Sequence, residues 1–149
     1  MSAGGHARGG AAARPHERFS RTVTLEAEDV ASFARAAGDD NPVHRDPAFA
    51  ATTRFGRPIA SGTQTTALLL GLAASHFSER AAMVGLEFWV RFRRPVPAGD
   101  TVVVEWLVVD VRADARLGGD VVDLRGRVRR GDGVTAVGAK GRVLVADRL

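Results

Sequence analysis

Asp39 and His44 bring a carboxylate and an imidazole to within five positions of each other. The turn signal Asn41-Pro42 lies between them, so a tight bend can aim both side chains into one pocket. At pH 7 an aspartate is ordinarily ionised and a histidine mostly neutral, and such a pair can activate a water and hand a proton back. The two are read as a dyad without a strict division into base and acid. Further on, Ser61 and Gly62 open an apolar helix. The first N–H groups of a helix have no partner inside it and sit at its positive end, so the Gly62 N–H is the candidate donor to a developing oxyanion. Asn41 is expected to order the loop or the water, and Ser61 forms an S-x-x-Q capping box with Gln64, a sufficient structural reason for that serine.

The elements around this stretch can be read from periodicity. Phe19, Arg21, Val23 and Leu25 alternate with polar residues as a first strand. Glu26, Glu28 and Asp29 then start a helix through Val30, Phe33, Ala34 and Ala37, which Gly38 stops, leaving Asp39 just past its C-terminus. Asp46-Pro47 is an N-cap and first-turn pair for a short helix, with His44 on the loop before it. The run TTALLLGLAASHF from Thr65 to Phe77 is apolar nearly all round and must be buried on most faces. His76, near its end, is read as a partner of the helix dipole. Strands follow. Leu86 to Phe92 alternates, Thr101 to Val111 is apolar on both faces and is expected to be covered on both, Val122 to Val128 alternates, and Val134 to Val145 closes the sheet after a Gly131-Asp132-Gly133 turn. The pattern asks for one antiparallel sheet wrapped around a buried helix, an α+β fold.

The ordered set Asp39, Asn41, Pro42, His44, Asp46, Pro47, Phe49, Ala50, then Phe55-Gly56, Pro58-Ile59-Ala60, Gly62, Arg94-Pro95-Val96 and Gly99-Asp100, resembles the hydratase motif of the MaoC-like (R)-specific enoyl-CoA hydratases and dehydratases. The likeness extends from about Phe19 to Val145. It implies a single hot-dog fold with the helix from Gly62 as its filling. It also implies interconversion of trans-2-enoyl and (R)-3-hydroxyacyl thioesters, with catalytic Asp39 and His44, an oxyanion donor at Gly62, and support from Asn41 and Ser61. Proteins of this kind pair sheets edge to edge, so at least a homodimer is expected. Asp40 stands where a bulky apolar residue is frequent, and Ser61 where histidine often precedes the glycine, a serine there resembling MaoC-like dehydratase branches; acyl length and the choice between coenzyme A and a carrier protein stay open. A hot-dog thioesterase and a noncatalytic acyl-binding subunit of a larger complex are the alternatives.

Composition agrees with one soluble domain. A chain of 149 residues can bury one core, and with no cysteine there is neither a disulfide framework nor a thiolate nucleophile or metal ligand. No metal is called for, and no cofactor beyond a coenzyme A that would enter as part of the substrate. The net charge of +4 is not gathered into a stripe with aromatic partners, which argues against nucleic acid and suits an anionic ligand. Residues 1–18, rich in Gly, Ala and Arg, are read as a disordered tail with solvated His6 and His16, and residues 19–149 as the domain. Neither a signal-peptide apolar region nor a membrane-spanning run is seen, and a cytoplasmic location is expected.

Overall fold

A computed structural model describes residues 12–149. Nine elements follow the order read from the sequence: β1 (Arg18–Thr24), α1 (Ala27–Ala36), a 3-10 turn (Pro42–His44), α2 (Pro47–Ala51), α3 (Gly62–Ser78), β2 (Ala82–Phe92), β3 (Thr101–Asp114), β4 (Gly119–Arg130) and β5 (Thr135–Ala146). The strands form one antiparallel sheet in the order β1-β3-β4-β5-β2. Its concave face wraps α3, as a hot-dog fold requires. Leu69, Leu72, Ala73 and Phe77 of the helix are buried against Val102, Val104, Trp106 and Val108 of β3 and Val122, Leu124 and Val128 of β4. The Trp106 indole sits in this core because its N–H donates to the Leu69 carbonyl at 2.8 Å, which removes the cost of burying an unpaired donor. Gly126, the small member of the apolar row of β4, leaves room for that ring: a Cβ there would lie 2.3 Å from Trp106.

The sheet corrects three expectations. β3 is not covered on both faces. Val103 and Leu107 are only half-buried and Val109 is 48% exposed, because among the described residues no second layer lies over the convex side. There the charged rows of β3, β4 and β5 shade each other. Glu105 pairs with Arg127 and, at 3.6 Å, with Arg129, while Asp123 accepts from Arg142 and Arg112 at 2.7 Å each. The Arg142 bond lowers the Asp123 pKa; partial burial opposes it, and Arg112 adds to the lowering.

Second, β2 begins at Ala82 and carries an irregularity between Gly85 and Glu87 that breaks the alternation, leaving Leu86 43% exposed. As an edge strand it also exposes Val84, Trp89 and Phe92.

Third, the segment read as tail is packed from residue 12 onward. Ala13 is 2% exposed, and His16 N–H and Val108 N–H exchange bonds with Val108 O and Glu17 O, prolonging the β1–β3 pairing. Glu17 explains this, since its carboxylate meets Arg80 and, at 2.8 Å, His76, whose ring stacks on Phe19 with centroids 3.7 Å apart. His76 is therefore tied to Glu17 and Phe19 across the fold and is not only a dipole partner of its own helix. His16 is exposed, and His6 lies outside the described residues. Among the described residues no helix is long and apolar enough to cross a membrane.

Candidate functional site

The loop from Gly38 to His44 is built by its own polar groups. Gly38 takes φ 73°, the left-handed value that ends α1, and Asp39 N–H closes back onto Ala34 O at 2.8 Å. Asp39 Oδ1 then accepts from Asn41 N–H at 3.0 Å, and Asn41 Oδ1 from Val43 N–H at 3.2 Å, so two consecutive Asx turns fold the bend. Asn41 thus orders the loop. Val43 is buried, and its carbonyl accepts from Ile59 N–H at 3.2 Å, tying the bend to the chain that leads into α3. Asp46 caps α2 by accepting from Phe49 N–H, with Pro47 in the first turn.

This places His44, only 7% exposed, with Nδ1 2.7 Å from the Ile59 carbonyl and Nε2 3.2 Å from Asp39 Oδ2. A carbonyl can only accept, so Nδ1 carries a proton and Nε2 is the nitrogen presented to the carboxylate. The Asp39 carboxylate thus stands beside the one ring nitrogen that the Ile59 carbonyl leaves unengaged. A carboxylate and an imidazole nitrogen 3.2 Å apart are close enough to share one water, an arrangement able to do acid/base work.

The residues around His44 are drawn in by the turn after β2. Ala60 N–H donates to Val96 O at 2.8 Å, Ala98 N–H to Pro58 O at 2.9 Å, and Ile59 forms a bridge with Pro97. Ser61 follows, fully buried, its Oγ accepting from Gln64 N–H at 3.2 Å and from the Thr63 hydroxyl at 2.9 Å. The serine half of the capping box forms. The glutamine half does not, for Gln64 Oε1 is buried and unpaired among the described residues. Gly62, the first residue of α3, has an N–H with no partner in the helix or elsewhere among the described residues. It faces a cavity of about 450 Å3 that His44 also lines.

The structure thus joins Asp39 to His44, gathers His44 and Gly62 on one cavity, and uses Asn41 and Ser61 as scaffold. Phe55, Ile59, Ala60, Arg94, Pro95 and Val96 of the motif line the same cavity, and further lining residues had no assigned role in the sequence. Thr65 lies one turn into the helix, and Phe92 places its ring where a Cβ on Gly62 would be, 2.8 Å away. Arg54, Arg93 and Arg94 complete the rim. Phe92 carried only the signal of an alternating strand residue, and Arg54 and Arg93 only that of the chain's general basic excess, whereas Arg94 belongs to the motif.

A five-stranded hot-dog sheet whose motif loop meets the start of the central helix defines a hydratase-type site. The chain belongs to the MaoC like domain family, which it matches over residues 11–136. It is similar to the (R)-specific enoyl-CoA hydratase of Aeromonas caviae, at 39% identity over 70% of this chain and 73% of that enzyme. The solved structure of the (R)-hydratase from A. caviae involved in PHA biosynthesis superposes with a TM-score of 0.81 at 32% identity, covering 89% of this chain and 96% of that one. A 3-hydroxybutyryl-CoA dehydratase of Methylorubrum extorquens is 36% identical over 62% of this chain, which spans 58% of that enzyme's length.

Proposed function

We propose that this chain is a hydro-lyase that interconverts trans-2-enoyl and (R)-3-hydroxyacyl thioesters. The observation that carries the reading is the Asp39–His44 contact, with the His44 ring oriented by the Ile59 carbonyl, in company with the unengaged Gly62 N–H beside the His44 cavity. In the hydration direction a water held against the dyad loses a proton to it as the water oxygen bonds to C3. The C2=C3 electrons move toward the thioester carbonyl, and the enolate oxygen is met by the Gly62 N–H at the positive end of α3. The dyad then gives up that proton to C2, so the elements of one water are added across the double bond and the dyad returns to its starting state. The (R) configuration and the coenzyme A handle are supported by the activities named for the relatives. The exposed edge of β2, with Val84, Leu86, Trp89 and Phe92, suits pairing with a second copy of the chain.

The test is incubation with a panel of trans-2-enoyl-CoA thioesters, following enoyl absorbance and free thiol together. Absorbance should fall without thiol release, and the product should be the (R)-3-hydroxyacyl thioester. Thiol release in step with absorbance would make the protein a thioesterase, and a uniformly (S) product would remove the stereochemical assignment.

A further inference from the structure

Arg45, Arg57, Arg80, Arg112, Arg127, Arg129, Arg130 and Arg142 each lie within 4 Å of a carboxylate. Of the arginines without such a partner among the described residues, four exposed ones, Arg54, Arg91, Arg93 and Arg94, gather around the end of β2. Arg54, Arg93 and Arg94 rim the His44–Gly62 cavity. A second hollow of about 470 Å3 adjoins it, shares Phe92, Arg93 and Arg94 with it, and adds Arg91, Val134 and Thr135, with no acidic residue in its wall.

The backbone holds this cup in place. Arg93 and Arg94 both donate their N–H groups to Ala136 O, at 2.8 and 3.1 Å, and the Arg94 guanidinium is turned by donating to Arg93 O at 2.8 Å. The Arg93 guanidinium lies over Gly138, with Nε 3.4 Å from where a Cβ would stand. Several like charges oriented side by side without a counter-ion repel one another, and the arrangement becomes favourable when a polyanion bridges them.

The geometry points to this cup as a phosphate-binding subsite for the handle of the substrate. The inference rests on the thioester-hydratase reading of the neighbouring cavity. A thioester whose carbonyl meets Gly62 must send its pantetheine arm out through the mouth, and the phosphate at the arm's far end then leaves past Arg93 and Arg94. That phosphate can be the diphosphate and 3′-phosphate of coenzyme A or the single phosphodiester of a carrier protein. The forked guanidinium suits both.

The test compares crotonyl-CoA, crotonyl-pantetheine, which lacks phosphate, and a crotonyl carrier protein, using wild type, Arg93→Ala, Arg94→Ala and the triple variant Arg91→Ala/Arg93→Ala/Arg94→Ala. For the phosphate-bearing substrate the triple variant should raise KM about tenfold or more, with kcat and the kinetics on crotonyl-pantetheine within twofold of wild type. Raising salt should raise KM of the wild type and leave that of the triple variant nearly flat. A KM change confined to crotonyl-CoA assigns the nucleotide, and one confined to the carrier substrate assigns its phosphodiester. Equal losses on crotonyl-pantetheine, or no loss on either phosphate-bearing substrate, would overturn the subsite. Calorimetric binding of desulfo-CoA reads the cup without chemistry: binding weakened in the triple variant supports it even if no thioester turns over, an outcome that would sink the hydratase reading alone.

Discussion

Replacing Gly62 by proline isolates one backbone hydrogen. Ser61, the residue before it, already has φ −69° and ψ 150°, within the extended region to which a following proline restricts its neighbour. Position 62 is the first residue of α3, where the proline ring presets φ and the missing N–H had no partner in the helix. The backbone therefore accepts the change, and fewer unfolded conformations favour it by about 0.4 to 1 kcal/mol. Against this stands a steric term. A Cβ at 62 would lie 2.8 Å from the Phe92 ring, so the ring must move. Phe92 is 59% exposed, and its ring can swing toward solvent.

Gly62→Ala makes the same contact and keeps the N–H, so the comparison of proline with alanine cancels the clash and leaves the donor. Loss of one oxyanion donor typically costs about 10²- to 10³-fold in kcat, or about 2.7 to 4 kcal/mol. The assay is enoyl-thioester hydration, read as the ratio of the two kcat values, with thermal melting to show that both variants fold. The proline variant should fall below the alanine variant by that factor, and adding Phe92→Leu to both should raise both without changing the ratio. A ratio near one in folded proteins would refute the donor role of Gly62.

Four further outcomes follow from the same geometry. Asp39→Asn and His44→Asn should each lower kcat by about 10²- to 10⁴-fold, and the double variant by little more than the worse single one, because both act on one water; the asparagine at 44 can still donate to Ile59 O, so circular dichroism should stay unchanged. Burial pushes the Glu17 carboxyl up, but the bonds from His76, Arg80 and the Arg14 N–H outweigh it and hold it below the ordinary range. That stability is present above the unfolded carboxylate pKa and is lost as pH falls through the folded one, so the melting advantage of wild type over Glu17→Gln should be full at neutral pH and shrink in acid. Gly126→Ala drives a methyl into the Trp106 ring and should destabilise by about 1 to 3 kcal/mol in denaturant titration, with little effect on KM. Leu86→Lys places charge on the β2 edge and should shift the protein toward monomer in light scattering.

Much of this was legible because local rules and tertiary demands agree. Gly38, Asp46-Pro47 and Ser61-Gly62 are punctuation whose geometry is fixed within a few residues, and each ends or starts an element where the sequence puts it. The helix run from Thr65 had no polar face to expose and so could only be the filling. What escaped reading depends on partners far along the chain. The two-sided apolar character of β3 reads as double coverage, yet its outer row is shaded by long charged side chains from the neighbouring strands. Glu17 and His76 lie 59 positions apart, and no spacing rule connects them. The glutamine of the capping box has the right offset but turns into the interior, a choice made by packing.

The pieces of the motif lie far apart in sequence because each is a bond in one short mechanical circuit. Asp39 is fixed to Ala34 of α1, Val43 to Ile59, Ala60 to Val96, and Gly99 back to Leu25 at the foot of β1. Arg57 adds a side-chain tie to Asp100 at 2.9 Å. Most of these links are backbone hydrogen bonds, so they constrain the path of the chain more than the identity of its side chains. Glycine and proline recur in the circuit because they control that path, and Asp39 and His44 contribute their side chains to it. The spacing of Asp39, His44 and Gly62 is thus set by main-chain geometry held on three sides: the end of α1, the start of α3 and the turn after β2. Such a frame keeps donor and acceptor positions fixed before substrate arrives, as electrostatic stabilisation of a developing enolate requires.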